Sequence, residues 1–373
     1  MPKLQRNDFK VKLFQKATGL ANHLAALPNR LLPAPFRLIQ MGSAFWQSRA
    51  LATAAELGVA DTLGDAEMSS AELAAELHLH EDHLYRLLRM LASSGVFEER
   101  MERRFLNNRL SACLRRDHPR SVRAIILMHN APEMSRPWFE SFTPAVRSGE
   151  VPFVLTHGQE LFPYMDNHPQ LDALFTEAME AVEGLTGSDY LRDFDWSRFD
   201  RLIDVGGSNG RKSIAILQQT PQLRALVFDR PPVVADATNY WRDKVSPSLL
   251  ERIEFRGGDI FEAIPPARSD NDLYLFVAVF HGMGDEEVKR VLGNLKFACG
   301  DHRPTLVIAD AVARVHKIDP TIASLDLQML VNTRGRERTL SEWRQLLAAT
   351  GFDIQEVVDV RAFARFLVAR LAA

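Results

Sequence analysis

The hydrophobic pattern of the chain changes its period near residue 190, and this change limits the possible folds more than any other feature. Before that point, apolar residues recur at three- and four-residue steps, which is typical of amphipathic helices. After Asp200, short apolar runs alternate with helical segments. Strands that alternate with helices form a mostly parallel sheet with helices on both faces. The sequence therefore predicts a mainly α-helical domain over residues 1–190 and an α/β domain over residues 191–373.

The composition and charge are those of an ordinary globular protein. Of 373 residues, 46% are hydrophobic and 25% are charged, and the 45 basic residues nearly balance the 48 acidic ones. A net charge of −3 creates no field that would attract nucleic acid or an anionic membrane. The longest apolar run, residues 273–280, is much shorter than the ~20 residues that span a bilayer. We expect neither a nucleic-acid nor a membrane partner.

The cysteines and the first thirty residues indicate the compartment. Cys113 and Cys299 are far apart in the sequence and match neither a disulfide framework nor a zinc site, so we expect no bound metal. The first thirty residues contain basic residues but no apolar core followed by a small-residue cleavage site, so they do not resemble a secretory signal. We therefore expect a cytoplasmic protein.

The first helical series has one apolar face. Its positions are Phe9, Leu13, Ala17, Leu20, Leu24 and Leu27. The basic residues between these positions also fit a helix that lies on a membrane surface. We favour a helix that packs against a partner or in a dimer.

Three later helical patterns and a turn predict a winged-helix outline. The patterns cover residues 50–57, 70–77 and 83–91, and Ser69 or Ser70 followed by Glu72 indicates the start of the second helix. Residues 95–97 and 103–105 are typical of two short strands. Such modules often bind DNA through one helix, but the candidate helix here, residues 81–90, has mixed charge. A winged-helix regulator that senses a metabolite remains the non-enzyme alternative.

Five apolar runs after residue 200 are candidate strands of the α/β domain. They cover residues 201–205, 223–228, 253–255, 273–280 and 305–308. Helical patterns follow at residues 285–298 and 340–349, and residues 354–360 and 364–368 are candidate closing strands.

A glycine-rich turn follows the first of these strands. In Asp204-Val-Gly-Gly-Ser-Asn-Gly, glycines allow the backbone to approach a ligand, and the next helix directs its first N–H groups toward it. A nicotinamide site has the spacing Gly-x-Gly-x-x-Gly, whereas Gly206 and Gly207 are adjacent and Gly210 follows three residues later. The carboxylate of Asp204 is better suited to an ammonium group than to a pyrophosphate.

Acidic residues follow the next two strands. Asp229, 25 residues after Asp204, ends the second strand, where a carboxylate can accept both ribose hydroxyls of an adenosine. Gly258-Asp259-Ile260 follows the third strand and offers another acid and an apolar side chain beside the expected adenine. A glycine turn with two acids, each at a strand end, therefore predicts a site for an adenosine-containing cofactor.

This constellation resembles the class I S-adenosylmethionine-dependent methyltransferases. More narrowly, the chain resembles the small-molecule O-methyltransferases of the caffeate and acetylserotonin type and their bacterial antibiotic-pathway relatives. The matching segments follow the family order over nearly the whole chain: residues 57–61, 85–92, 175–179, 204–207, 228–229, 258–261, 281–287 and 335–339.

The resemblance implies the architecture, the cofactor and its contacts. The fold would be a Rossmann-like methyltransferase domain preceded by a winged-helix-like dimerisation domain, and the protein would be a homodimer that converts S-adenosylmethionine to S-adenosylhomocysteine. The implied cofactor-binding residues are Asp204, Gly206, Gly207, Ser208, Gly210, Asp229, Arg230, Gly258, Asp259 and Ile260.

The resemblance also implies a catalytic set. A hydroxyl is a poor nucleophile until it loses its proton, and a histidine within hydrogen-bond reach is the usual base. By resemblance this base is His281, with Asp310 and Glu337 as the carboxylates that orient it and stabilise its charged form. The alternative is that His281 only caps the helix that begins near Asp285.

The catalytic block departs from the family pattern at several positions. His281 is followed by Gly282 and Met283, where the family usually has Asp-Trp, and Val277 stands where the family often has Lys or Arg. Asp310 is one methylene shorter than the usual glutamate. An acceptor that is a thioether sulfur would need no base, so an S-methyltransferase acting on 4-methylthio-2-hydroxybutyrate, in dimethylsulfoniopropionate synthesis, remains an alternative. A non-methylating enzyme on the same fold is another.

The substrate is the least constrained part of the prediction. By resemblance, the residues that would contact it are His129, Trp138, Phe162, Phe175, Met179, Met329 and Asn332. As aromatic and methionine residues at helical spacing, several also fit an ordinary core. Among Arg334, Arg336 and Arg338, one arginine would suit an anionic substrate, but we favour a solvated run of charge.

Overall fold

The computed structural model describes residues 8–316 and 318–372, and it divides them into two compact units. One unit is Leu20–Gly187. The other begins at Ser188 and also includes the first part of helix α1, as far as Gly19. The domain boundary predicted between residues 190 and 191 stays a prediction.

The Leu20–Gly187 unit is mainly helical. Its helices, with α1 included, are α1 (Asp8–Leu31), α2 (Ala34–Glu56), α3 (Val59–Leu63), α4 (Ser70–Glu76), α5 (Glu81–Ser93), α6 (Arg123–Asn130), α7 (Pro132–Arg136), α8 (Phe142–Ser148), α9 (Pro152–His157), α10 (Leu161–Asp166) and α11 (Pro169–Thr186). As the sequence predicts, α4 starts at this point, with Ser69 as its N-cap. The Ser69 hydroxyl accepts the Glu72 N–H, and the Glu72 carboxylate accepts the Ser69 N–H. The buried apolar residues of these helices form two core clusters within this unit.

A small antiparallel sheet completes the winged-helix outline. Its strands are β1 (Met68–Ser69), β2 (Glu98–Arg100) and β3 (Arg104–Leu106), in the order β1-β3-β2. The prediction of a strand at residues 95–97 is wrong, because these residues belong to the turn that follows α5. The Val96 N–H bonds back to the Leu91 carbonyl, and Gly95 has a φ of +79°.

The unit that begins at Ser188 is built on a seven-stranded sheet. Its strands are β4 (Arg201–Val205), β5 (Arg224–Asp229), β6 (Ile253–Gly257), β7 (Asp272–Val277), β8 (Thr305–Ala311), β9 (Phe352–Asp359) and β10 (Ala364–Leu371). The strand order is β6-β5-β4-β7-β8-β10-β9. The neighbours from β6 to β8 are parallel, whereas β10 is antiparallel to both β8 and β9. The predicted Rossmann-like α/β domain is confirmed.

Both faces of this sheet are covered. Alternate residues of one strand belong to different core clusters. Ile203 packs with residues of the helices at 285–299 and 340–350, whereas Leu202 packs with residues of the helix at 211–219. The helices of this unit are α12 (Arg211–Gln219), α13 (Pro231–Val234), α14 (Ala237–Arg242), α15 (Pro247–Leu250), α16 (Asp285–Cys299), α17 (Pro320–Asn332) and α18 (Leu340–Thr350). The parallel strands therefore bring their carboxyl ends, and the turns that follow them, to one edge of the sheet.

Several large apolar side chains of the first two helices are exposed. In α1, Phe9 is 73% exposed, and Leu13 and Leu20 are also exposed. In α2, Ile39 and Trp46 belong to a second exposed apolar series. The side chains of Leu24 and Leu27, which continue the predicted α1 face, lie outside the described residues. No helix in residues 8–316 or 318–372 is both long and apolar enough to cross a membrane.

Candidate active site

The glycine-rich turn connects β4 to α12. Gly206 and Gly210 have φ angles of +74° and +83°, which side chains disfavour. A Cβ on Gly206 would also lie 2.6 Å from Cγ2 of Val279. The glycines therefore set the path of this turn.

Asp229 is bonded directly to this turn. Its Oδ2 accepts the Ser208 N–H at 2.8 Å, and its Oδ1 accepts the Arg230 N–H at 2.7 Å. A carboxylate oxygen has more than one lone pair, so each oxygen keeps capacity for a further donor. The structure thus brings together three predicted cofactor-binding residues, Ser208, Asp229 and Arg230.

Asp204 lies below the turn. It is buried, and its Oδ2 accepts the Ser213 hydroxyl at 2.7 Å. A Cβ on Gly207 would lie 2.8 Å from that same oxygen, so the turn rests on this carboxylate. Asp204 supports the backbone of the turn; its predicted contact with an ammonium group stays a prediction.

The third predicted cofactor segment follows β6. Gly258 packs against the ring of Phe228, which leaves no room for a side chain. Oδ1 of Asp259 accepts the Phe261 N–H at 2.8 Å, and the Ile260 carbonyl accepts the side-chain N–H of Asn294 at 2.9 Å. The segment is held by local bonds at the end of β6, beside β5 in the sheet.

A second turn, after β7, carries His281. The strand predicted to run to residue 280 ends at Val277, because Ala278 takes a φ of +53° and redirects the chain. A 3₁₀ turn over Phe280–Gly282 follows and holds His281. The alternative that His281 caps the next helix is wrong, since Gly284 is the N-cap of α16 and its N–H bonds to Glu287.

His281 is bonded to Glu337. Their atoms Nδ1 and Oε1 are 2.9 Å apart, and the Glu337 side chain is fully buried. A carboxylate accepts only, so Nδ1 is assigned as the donor and Nε2 of the neutral imidazole is left as the acceptor. An imidazole in this state can take a proton at Nε2 while Glu337 stabilises the charge that results.

Asp310, in β8, is the second carboxylate near this histidine. It is 3% exposed, and burial raises its pKa to about 6 even though the charge of His281 favours ionisation. Burial also lowers the pKa of His281, but the bond to Glu337 and the negative charges of Asp310 and Glu337 outweigh it, so the pKa lies above the ordinary value. The structure therefore brings the three predicted catalytic residues into one electrostatic cluster.

The arginines around Glu337 differ from one another. Arg338 is only 1% exposed, so a solvated run of charge is wrong for this residue. Its guanidinium bonds to Asp285 and to two carbonyls beside His281. Arg336 is exposed and pairs with Glu342. The sequence alone does not distinguish these arginines, because they stand at every second position and a two-residue period would give all three the same burial.

The predicted substrate residues fall in both units. His129, Trp138, Phe162, Phe175 and Met179 lie in the helical unit, where the rings of Phe162 and Phe175 are 6.2 Å apart, edge to face. Met329 and Asn332 lie on α17 of the other unit, where Asn332 is buried and donates to the Gln328 carbonyl. Their contact with a substrate stays a prediction.

In the part of the chain that the structure describes, no cluster of three or more His, Cys, Asp or Glu side chains is arranged to hold a metal ion.

Comparison with known proteins agrees with this geometry. The O-methyltransferase domain model matches residues 139–353, and the O-methyltransferase dimerisation domain model matches residues 39–117. The chain is 31% identical over 334 residues to the phenazine O-methyltransferase of Lysobacter antibioticus, covering 89% of this chain and 95% of that one. It is also 31% identical over 303 residues to the 8-amino-8-demethylriboflavin N,N-dimethyltransferase of Streptomyces davaonensis, covering 80% and 85% of the two chains.

A solved structure shows the same fold. Human N-acetylserotonin methyltransferase, in complex with S-adenosylmethionine, superposes with a TM-score of 0.79 and 25% identity, covering 92% of this chain and 99% of that one. The parallel sheet, the glycine turn and the acid at the end of β5 thus define a class I methyltransferase fold. The domain match covers more than half of the chain, and the chain belongs to the O-methyltransferase family. The family predicted from the sequence is confirmed.

Proposed function

We propose that this protein transfers a methyl group from S-adenosylmethionine to a hydroxyl group of a small molecule, with His281 as the general base. The observation that carries the proposal is the 2.9 Å bond from Nδ1 of His281 to the buried Glu337, beside Asp310. This bond orients the imidazole and supports a positive charge on it, which is what a base at a hydroxyl requires.

The residues of the glycine turn fit the cofactor. Both oxygens of Asp229 keep acceptor capacity, which suits a pair of ribose hydroxyls. The residues that we propose to hold S-adenosylmethionine are Asp204, Gly206, Gly207, Ser208, Gly210, Asp229, Arg230, Gly258, Asp259 and Ile260. When bound, the cofactor supplies an electrophilic methyl group on a positively charged sulfur.

Residues of this chain would accept the proton of the hydroxyl group and stabilise the charge that results. As the hydroxyl oxygen bonds to the methyl group and S-adenosylhomocysteine leaves, the hydroxyl proton passes to Nε2 of His281. Glu337 accepts from the other ring nitrogen and stabilises the imidazolium, and Asp310 adds a second negative charge when ionised. Because both carboxyls are buried, these charges act with little screening by water.

The proposal also includes the partner of this chain, a second copy of itself. The dimerisation-domain match and the exposed apolar positions of α1 and α2 support a homodimer through the N-terminal part of the chain.

We also propose that the predicted substrate residues contact the acceptor. The names of the two relatives, one a phenazine O-methyltransferase and one an N,N-dimethyltransferase, suggest ring-bearing hydroxyl and amino probes.

The test begins with the cofactor and then replaces the base. Calorimetry should detect S-adenosylmethionine binding, and no binding at millimolar concentration would overturn the proposal. Matched hydroxy-, amino- and methylthio-phenazines are then compared by the S-adenosylhomocysteine that they release. We expect release with the hydroxyl compound and a loss of roughly 10²- to 10⁴-fold in His281→Ala.

His302→Ala is the matched control. This histidine is partly exposed and its Nδ1 lies 3.6 Å from Oδ1 of Asp270, so its removal should leave the rate unchanged. Full activity in His281→Ala would exclude the base. Methyl transfer to the thioether alone would favour the S-methyltransferase alternative, and consumption of the probe without S-adenosylhomocysteine would indicate a non-methylating enzyme.

A further inference from the structure

We propose that Arg338, together with Gly335, is a positioning element that holds the His281 turn against Glu337. The inference deepens the proposed function and rests on it, because it assigns to Arg338 no contact with substrate or cofactor. Arg338 would act only through the orientation of His281.

The contacts of Arg338 enclose His281 on both sides. Its Nη1 donates to the Phe280 carbonyl at 2.9 Å and its Nη2 donates to the Met283 carbonyl at 2.7 Å. Its Nε donates to Oδ1 of Asp285, the first residue of α16, at 2.9 Å. One rigid, permanently charged plane therefore fixes both ends of the turn and the start of the next helix.

The backbone of Arg338 is itself anchored. Its carbonyl accepts the Ala313 N–H at 3.0 Å, just beyond β8, and Thr339 continues this pairing. The N–H of the preceding residue, Glu337, donates to Oδ1 of Asp326 in α17 at 2.7 Å. Adjacent residues of one anchored segment thus bind the turn in two ways: Glu337 holds the imidazole, and Arg338 holds the carbonyls that flank it.

Gly335 allows this segment to approach the turn. A Cβ added to Gly335 would overlap the His281 carbonyl oxygen and the backbone of Gly282. The two backbones therefore lie in direct contact, and any side chain at residue 335 would push the Glu337 segment away from His281. Glycine is needed here for space, because the approach leaves none for a methyl group.

A lysine cannot replace this arginine. An ammonium group has its three donors on one atom, so it cannot reach carbonyls at both ends of the turn and Asp285 in one plane. With Arg338→Lys we expect the His281–Glu337 bond to loosen, so that the bond raises the pKa of His281 less. The charged groups that set this pKa are Glu337 and Asp310. Misplacement of a catalytic group by about 1 Å can lower kcat roughly 10²-fold, and we expect a tenfold to hundredfold loss here.

The experiment measures the His281 pKa directly. Ring signals of the histidines are followed by NMR against pH with S-adenosylmethionine bound, and the His281 signal is identified by its loss in His281→Ala. In Arg338→Lys and Gly335→Ala the pKa should move down toward the ordinary value of 6.5. Calorimetric affinity for S-adenosylmethionine should stay within twofold of the starting protein. Asp285→Asn, at a half-exposed side chain, gives a folded variant with a smaller shift if Arg338→Lys does not fold.

Two matched controls separate positioning from stability. Arg361→Lys alters another arginine bound to a buried carboxylate, Asp193, and Gly293→Ala adds a methyl group where no atom lies within 4 Å. Both should leave the His281 pKa unchanged, although Arg361→Lys should lower the Tm.

Failure of this inference and failure of the proposed function would give different results. An unchanged His281 pKa in both Arg338→Lys and Asp285→Asn, with only a lower Tm, would overturn the positioning role and leave His281 as the base. Unchanged methyl transfer to the hydroxyphenazine in His281→Ala would overturn the proposed function, and this inference with it.

Discussion

The two turns that follow β4 and β7 lie at the ends of adjacent parallel strands, yet they are held in opposite ways. The glycine turn is held mainly by residues nearer in sequence: Gly206 and Gly210 take positive φ angles, and the Ser208 N–H bonds to Asp229, 21 positions away at the end of the neighbouring strand. The His281 turn depends on residues more than fifty positions away in sequence, Glu337 and Arg338. A cofactor motif can therefore be local, whereas the catalytic geometry beside it is built by distant segments.

This difference predicts that the two turns respond separately to mutation. The largest effect is expected at Asp310, whose ionisation is unfavourable in the folded protein because its pKa of about 6 lies above the ordinary 3.8. Between these values the folded state binds more protons than the unfolded state, so stability falls as pH rises. Asp310→Asn removes this penalty and should raise the free energy of unfolding at about pH 8 by up to about 3 kcal/mol.

Chemical denaturation at about pH 8 and about pH 4 checks this prediction. Most of the gain should disappear at the lower pH, where the carboxyl is protonated in the folded state and partly protonated in the unfolded state. Methyl transfer should fall, since His281 loses a nearby negative charge, while S-adenosylmethionine affinity stays the same. A large change in that affinity would show that the two turns are not independent.

A smaller effect is expected at the glycine turn itself. Asp229→Asn replaces one acceptor oxygen by an amide donor that faces a backbone N–H, and should weaken S-adenosylmethionine binding about tenfold or more. The His281 pKa should not change. Calorimetry and the histidine titration measure the two quantities. Asp195→Asn, at a partly buried side chain whose Oδ1 accepts the Ser197 N–H, is the control. A shift of the His281 pKa would contradict the local character of this turn.

The smallest effect concerns a close approach of the two turns, between Gly206 and Val279. Gly206→Ala places a methyl group in a positive-φ position and against Val279, which precedes the His281 turn. The Val279→Ala change should relieve the contact but not the backbone strain. A double-mutant cycle on S-adenosylmethionine affinity should therefore show a coupling of about 1 kcal/mol. A coupling of zero would show that the two turns do not interact through this contact.

What the sequence predicted follows the same division. The strands, the glycine turn and Asp229 were predictable because periodicity and glycine spacing are local properties, and most strand ends agree within a few residues. His281, Asp310 and Glu337 were predicted only through resemblance to a family, because no local pattern brings such distant residues together.

The details that could not be predicted have one physical origin. Ala278 ends β7 three residues early through a positive φ, which nothing in its residue type favours. Arg338 is buried and Arg336 is exposed within the same short segment. Both facts depend on tertiary packing. Arg338 is the buried arginine because its guanidinium bonds to the carboxylate of Asp285 and to the carbonyls of the preceding turn.

The position of β10 has a consequence for how the chain is made. This strand, Ala364–Leu371, is the last in chain order but lies inside the sheet, between β8 and β9. Synthesis runs from the amino end, so β8, which carries Asp310, keeps an unpaired edge until residue 371 has left the ribosome. Open strand edges promote association with other chains. A nascent chain, or one that ends before β10, would thus expose the edge of β8 beside the catalytic cluster, where a strand of another chain can pair with it.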